Sequence, residues 1–385
     1  MGGQVAISRR GWAWALALTL VAAGAGSAVA ASTAAQASTV SPLRHAIVFT
    51  RFLPGADTGT VYRIDAGGTV EHLIRSGVFD FALLSPDGTQ FADAAWTPDG
   101  LGTTAIFNVD GSGYRLLPTT TLNLPGGIWS AGQTRIAAAA GDPQNPTPPV
   151  GIFSRRSSDG GGAIRLTDAG TRFDYPIESS PDGSKLLYFQ PDAKNQTSDS
   201  APQDLFVVGA DGSASTRLTP PGTTTAVVHS YDSVSWSPGG TQVAVAAANG
   251  PFGDTTIHSV YIASADGSSF QRIGPRGDIW DAVWSPDGRW IAFSMASKAT
   301  GGLFELYLMH PDGSGVRQLT PTTGGLFSLH PTWSPDSSQL LFLRGGTSNV
   351  DLTDIWSINV DGSQLYQVTH QPAGYGTSQA LAWLP

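Results

Sequence analysis

One short phrase recurs along this chain: an apolar strand, usually closing on Trp, followed by Ser-Pro-Asp-Gly. The clearest copies are Trp284-Ser285-Pro286-Asp287-Gly288 and Trp333-Ser334-Pro335-Asp336. Weaker ones are Leu84-Ser85-Pro86-Asp87-Gly88, Trp129-Ser130-Ala131-Gly132, Ser179-Ser180-Pro181-Asp182-Gly183, Trp236-Ser237-Pro238-Gly239-Gly240 and a truncated Trp383-Leu384-Pro385. Successive Ser slots lie 45, 50, 57, 48, 49 and 50 residues apart. A period of that size, with four short strands per unit, marks a β-propeller. The expected fold class is all-β: a seven-bladed β-propeller of four-stranded antiparallel blades.

The repeat from Asp278 to Gly324 reads most plainly as a blade. Ile279–Trp284 alternates as a first strand, and Ser285-Pro286-Asp287-Gly288 is a turn, in which Pro presets φ and Gly accepts a positive one. Trp290–Ser294 and Leu303–Met309 follow as second and third strands; Pro311-Asp312-Gly313-Ser314-Gly315 turns the chain into an outer strand at Val316–Thr320. Trp96-Thr97-Pro98-Asp99-Gly100 lies only twelve residues after Ser85, too close to open another blade, and reads as a loop between second and third strands. At the ends of the chain, His45–Phe49 is a second strand without a first, and Ser378–Leu384 a first strand with nothing after it. Pairing the two closes the ring and leaves no open edge. Blades are expected at 41–77 with 378–385, then about 78–121, 122–170, 171–222, 223–275, 276–324 and 325–377.

These repeats resemble the TolB-like, WD40-like (PD40) propeller family, whose unit reads roughly W-S-P-D-G, I-A-F, L-Y, D-G, R-Q-L-T. The resemblance runs from about Ser41 to Pro385 and is densest in Trp284–Thr320 and Trp333–Thr369. It implies fold more than function, because the shared residues form turns and fill cores. Neither the α/β domain that precedes the TolB propeller nor the hydrolase domain of prolyl-oligopeptidase-type proteins has room here.

Residues 1–37 carry the order of a secretory signal: Arg9-Arg10, an apolar stretch from Trp12 to about Val29, then Ala28-Val29-Ala30 and Ala35-Gln36-Ala37 as cleavage sites. Ser8-Arg9-Arg10-Gly11-Trp12 also resembles a twin-arginine signal. The expected location is secreted, periplasmic or cell-envelope, without a permanent membrane anchor, and with no cysteine for a lipid. Removing the leader takes two of the 21 basic residues and none of the 30 acidic ones, so the mature charge is 19 − 30 = −11. So acidic a chain with no basic run excludes nucleic acid as a partner. The partners expected are an envelope or extracellular protein, a peptide or a polysaccharide, met by a monomer.

Strand alternation places the Ser-Pro-Asp-Gly and Asp-Gly turns on one face of the disc. The long connections 141–150, 190–203, 249–256, 297–302 and 344–354 fall on the other, around the channel mouth, where variable loops on a rigid ring acquire binding. Asp80, Asp174, Asp232, Asp281 and His330 stand four to six residues before their repeat's Ser slot; His229 and Tyr231 flank Asp232, and Gln379 fills the matching slot of the last strand. Read functionally, this is a ring of carboxylates and imidazole able to bind a cation, amine, sugar or basic peptide. Read plainly, each Asp ends a loop and caps backbone donors. No H-x-H or H-x-x-x-H pair supports a divalent cation at the mouth, no cofactor is implied, and there is no G-x-S-x-G elbow or cysteine nucleophile. The expected function is a binding or scaffold module acting through the long-loop channel face. The alternative is a polysaccharide lyase or hydrolase using the Asp/His ring, with Tyr231 as acid or base.

Overall fold

The recurrent tetrapeptide folds as a small polar knot, and the knot explains the recurrence. In Ser285-Pro286-Asp287-Gly288 the Ser285 hydroxyl donates to Asp287 Oδ1 (2.7 Å) and accepts from the amide of Trp290 (2.9 Å), while Asp287 Oδ1 accepts from the amide of Arg289 (3.0 Å). The same three bonds recur at Ser85, Ser180 and Ser334. Side chains thus hold the backbone donors of the turn that joins first to second strand.

The computed structural model describes residues 41–52, 56, 58–79, 82–119, 124, 126–140, 151–168, 174–191, 203–220, 234–248, 258–296, 300–346, 353–370 and 378–384. Seven antiparallel sheets stand around one axis, each built of an inner, second, third and outer strand in chain order. Blade 1 joins the two ends of the chain: Ser378–Trp383 is its inner strand and pairs with Ile47–Phe52, with Ile47 opposite Trp383 and Arg51 opposite Ser378. The ring is therefore closed between its terminal strands, as the half-blades of the sequence require. Thr97–Leu101 is a tight hairpin inside blade 2, between Gln90–Trp96 and Gly102–Asn108. No described helix is long and apolar enough to cross a membrane.

Two devices lock neighbouring blades. The first is the repeat's Trp. The indoles of Trp129, Trp333 and Trp383 each donate to a carbonyl on the inner strand of the preceding blade, Leu83, Val283 and Thr332, at 2.9–3.0 Å. All five repeat Trp residues are buried, and Trp236, Trp333 and Trp383 sit in apolar clusters shared with the blade before. The second is the Gly of the Asp-Gly turn between third and outer strands. Gly111 and Gly313 have φ of 83° and 84° and press against the outer strand of the preceding blade, where a Cβ would overlap the carbonyls of Ile74 and Ile273. A side chain there would push two blades apart.

Inner strands depart from the regular ladder near their leading ends. Register shifts fall between Pro176 and Glu178, between Leu329 and Thr332, and opposite Val48/Thr50. In blade 6 the shift becomes a break: the expected single strand Ile279–Trp284 is two short ones, Asp278–Ile279 and Val283–Trp284. Trp280 keeps one backbone bond to Ser294 while its ring packs on Phe304, and Asp281 turns into the blade interface. A bulge re-aims a side chain in this way.

Candidate functional site

The long-loop side of the ring is where the bulged ends of the inner strands converge. Among the expected site residues, Asp80, His229, Tyr231 and Asp232 lie outside the described residues. Gln379 pairs through its backbone with Thr50 in the closing strand. Asp174, Asp281 and His330 can be placed.

Asp174 is 1% exposed and its Oδ1 accepts from the side-chain amide of Gln190 at 2.8 Å. Asp281 is fully buried. Its Oδ2 accepts from the hydroxyl of Ser294 on its own blade and from the backbone amide of His330 on the next, the latter at 3.2 Å. Its Oδ1 lies 3.3 Å from His330 Nδ1. Both carboxylates are thus buried, Asp174 against Gln190 of its own blade, while Asp281 fastens blade 6 to blade 7. His330 sits at the bulge with φ of 55°, a left-handed conformation in a strand, and its side chain keeps 23% exposure. Holding a non-Gly residue there costs about 1 kcal/mol or more, so the surroundings over-determine it. The structure brings Asp281 and His330 together and leaves Asp174 two blades away.

A second polar group lies in the same interface, and no sequence motif announced it. Glu305 on Phe304–Met309 of blade 6 is fully buried; its Oε2 accepts from Thr320 (2.6 Å) and Ser328 (3.0 Å) and lies 3.6 Å from Arg344 Nη1. Arg344, in blade 7, also donates to Ser328 Oγ and to the carbonyl of Pro321, both at 2.8 Å. Burial pushes the Glu305 carboxyl up, against the lowering hydrogen bonds and the Arg344 charge, and burial pushes the Arg344 guanidinium down. Both shifts have the same sense: for each partner, loss of water outweighs the attraction. The available signal was a charge inside otherwise apolar strands, Phe304-Glu305-Leu306 and Leu341-Phe342-Leu343-Arg344.

The chemistry open to this cluster follows from its connectivity. Ser294 gives its proton to Asp281, the same carboxylate that His330 contacts, so the imidazole is not aligned to activate that hydroxyl. Among the described residues no three His, Asp or Glu side chains converge in a metal-binding group. What the site offers a ligand is a fixed, partly exposed imidazole at the bulge, braced by a buried carboxylate.

No family model matches the sequence, and a search of curated proteins finds no relative. Solved structures do match. The β-propeller domain of the Trilobed protease from Pyrococcus furiosus is 10% identical with a TM-score of 0.58, over 86% of this chain and 97% of that one. It is described as an open velcro, whereas here the terminal strands pair. An oligogalacturonate lyase from Vibrio parahaemolyticus is 12% identical with a TM-score of 0.56, over 77% of this chain and 87% of that one. TolB from Acinetobacter baumannii is 16% identical with a TM-score of 0.47, over 88% of this chain and 83% of that one. At these identities the likeness is one of fold: the chain is a seven-bladed β-propeller.

Proposed function

We propose that this chain is an exported, TolB-like binding propeller whose long-loop channel face recognises an envelope or extracellular protein, peptide or glycan. One observation carries the reading: Asp174 and Asp281, carboxylates expected at the channel mouth, are buried, one bonded to Gln190 and the other to Ser294 and the amide of His330. Among the described residues that side keeps the braced, partly exposed imidazole of His330 and the exposed rings of Phe79 and Trp96, which favour contact over proton transfer. The leader and the acidic balance of the chain support an exported protein whose partner is neither nucleic acid nor an anionic surface.

The test is a pull-down from the producing cell's envelope extract with the chain from Ala31 or Ser38 onward as bait, beside baits carrying His330→Ala on the loop face and Asp312→Asn on the turn face. The expected result is a partner retained by wild type and Asp312→Asn and weakened by His330→Ala. Retention that only the turn-face change weakens would overturn the reading. So would turnover of a polysaccharide that disappears with His330→Ala.

A further inference from the structure

Seven of the eight exposed large apolar side chains among the described residues lie between Val70 and Leu116, the outer strand of blade 1 and blade 2. Two of them stand on the long-loop face, where the outer strand Glu71–Val78 leaves blade 1 and the second strand Gln90–Trp96 of blade 2 ends. Phe79 is 45% exposed and Trp96 41%, and their rings meet edge to face with centroids 5.0 Å apart at 66°. The five repeat Trp residues are buried and Trp280, Trp290 and Trp356 half-buried, so Trp96 is the one exposed Trp among the described residues.

The pair is built, not incidental. The amide of Phe79 donates to Asp93 Oδ2 at 3.3 Å, and Asp93 is itself buried. Behind Trp96 the hairpin is closed three times: Thr97 amide to Leu101 carbonyl, Gly100 amide to Thr97 carbonyl, and Leu101 amide to Thr97 Oγ1 (2.9, 2.9 and 3.1 Å). Two large apolar rings are thus held in water at a cost that burial would remove, about 25 cal/mol for each Å² covered.

We propose that Phe79 and Trp96 form a stacking platform for the pyranose rings of a neutral or N-acetylamino glycan. This rests on the binding reading of the loop face and names its ligand class. Three features select that class. Phe79 follows the outer strand of blade 1 and Trp96 precedes the hairpin of blade 2, and their rings meet at an angle, so they offer faces and no enclosing walls. A flat sugar face matches that shape, whereas a protein anchor side chain needs a pocket. The hairpin supplies the carboxylate of Asp99, two residues from the Thr97 hydroxyl, as an acceptor for hydroxyls at the sugar's edge. The hairpin beside Trp96 carries Asp99, and residues 79–101 hold no Lys or Arg, in a chain of net charge −9, which disfavours a uronate or phosphorylated polymer.

Native affinity electrophoresis of the full chain tests this, in gels holding hydroxyethylcellulose, glycol chitin, xylan or polygalacturonate, with a Lys-rich decapeptide tested in parallel by calorimetry. The expected result is retardation by at least one of the first three polymers and none by polygalacturonate. Affinity should hold from about 50 to about 500 mM NaCl, since stacking is not screened. Trp96→Ala should weaken it about tenfold or more, Phe79→Ala about threefold, and Trp96→Tyr little, the last keeping a ring in place. Trp290→Ala, on the turn face, should change nothing. The platform is overturned if none of the three retards the chain, if Trp96→Ala binds like wild type, or if only the peptide binds and salt abolishes it. An envelope partner captured equally by wild type and Trp96→Ala would refute the platform and leave the loop-face reading standing; capture abolished by neither Trp96→Ala nor His330→Ala would refute both.

Discussion

Two interfaces of the ring bury an arginine, and they neutralise it in different ways. Between blades 6 and 7, Arg344 reaches back to Glu305, with Ser328 and Thr320 binding the same carboxylate. Between blades 2 and 3, Arg155 reaches back in the same sense to the hydroxyls of Thr103 and Thr104 and the carbonyls of Pro118 and Leu124, at 2.9–3.3 Å. Arg155 is 1% exposed, and among the described residues no carboxylate pairs with it; burial pushes its guanidinium down to about 10. One cation meets a counter-charge and the other four neutral oxygens. The lesson is that a blade interface tolerates a buried guanidinium whose two terminal nitrogens are met, with or without an opposite charge and even with the Nε of Arg155 unpartnered among the described residues.

The comparison breaks most sharply at Glu305. Glu305→Gln alone, or Arg344→Met alone, leaves one buried charge uncompensated and should cost about 3–5 kcal/mol in denaturant unfolding. The double variant Glu305→Gln/Arg344→Met removes both charges and should recover most of that loss, giving a large coupling energy in the double-mutant cycle. Additive losses would mean that the pair's geometry, not its charge, holds the interface. Arg155→Met has no counter-charge to strand, but it leaves four oxygens without their donor; a loss of about 2–3 kcal/mol is expected, smaller than either single change at Glu305–Arg344. An equal loss would erase the distinction between the two interfaces.

How much of this was legible follows from how local each cause is. Four of the turns are local chemistry, with Ser, Asp and an amide within five residues, so the repeat, the blade count and the pairing of the chain ends could be read directly. The Thr97–Leu101 hairpin was legible for the same reason, its spacing leaving no room for a blade. Asp281 was singled out by position, but its burial depends on a break in the inner strand and on His330, 49 residues further on. Glu305 and Arg344 carried no motif: one charge in a β-strand reads as solvent-facing until a neighbouring blade covers it. Asp80, His229, Tyr231 and Asp232 lie outside the described residues.

A finer contrast separates Trp residues that occupy one repeat position. Trp333 Nε1 donates to Val283, whereas buried Trp236 Nε1 has no partner among the described residues. Trp→Phe removes similar volume at both sites, so the difference between them isolates one hydrogen bond. Trp333→Phe should cost about 1 kcal/mol more than Trp236→Phe by thermal or denaturant unfolding. Equal costs would assign the role of these residues to packing alone.

The smallest expected effect distinguishes the turns from the interfaces by the sign of their pH dependence. In Asp182 the Ser180 hydroxyl, then the amide and hydroxyl of Ser184, hold the carboxyl down at about 2; in Asp336 the bonds from Ser334 and Ser338 do the same against a burial that would raise it. A depressed native value means the unfolded chain takes up protons first, so this contribution is complete above an ordinary carboxyl value of 3.8 and is lost as pH falls through about 2. Glu305 has the opposite sign: raised by burial, it favours folding below 4.5 and loses that contribution as pH rises through its native value. Ser180→Ala and Ser334→Ala should therefore flatten the loss of stability between pH 4 and pH 2, each by a few tenths of a kcal/mol because the turns are exposed. Glu305→Gln/Arg344→Met should instead leave that window alone and make stability fall more, or rise less, between pH 7 and pH 4, by removing a group that gains in acid. Melting temperatures of the three variants at pH 7, 4 and 2.5 decide the matter: if the interface variant flattens the profile as the serine variants do, Glu305 is stabilised as an anion and its pairing with Arg344 outweighs its burial.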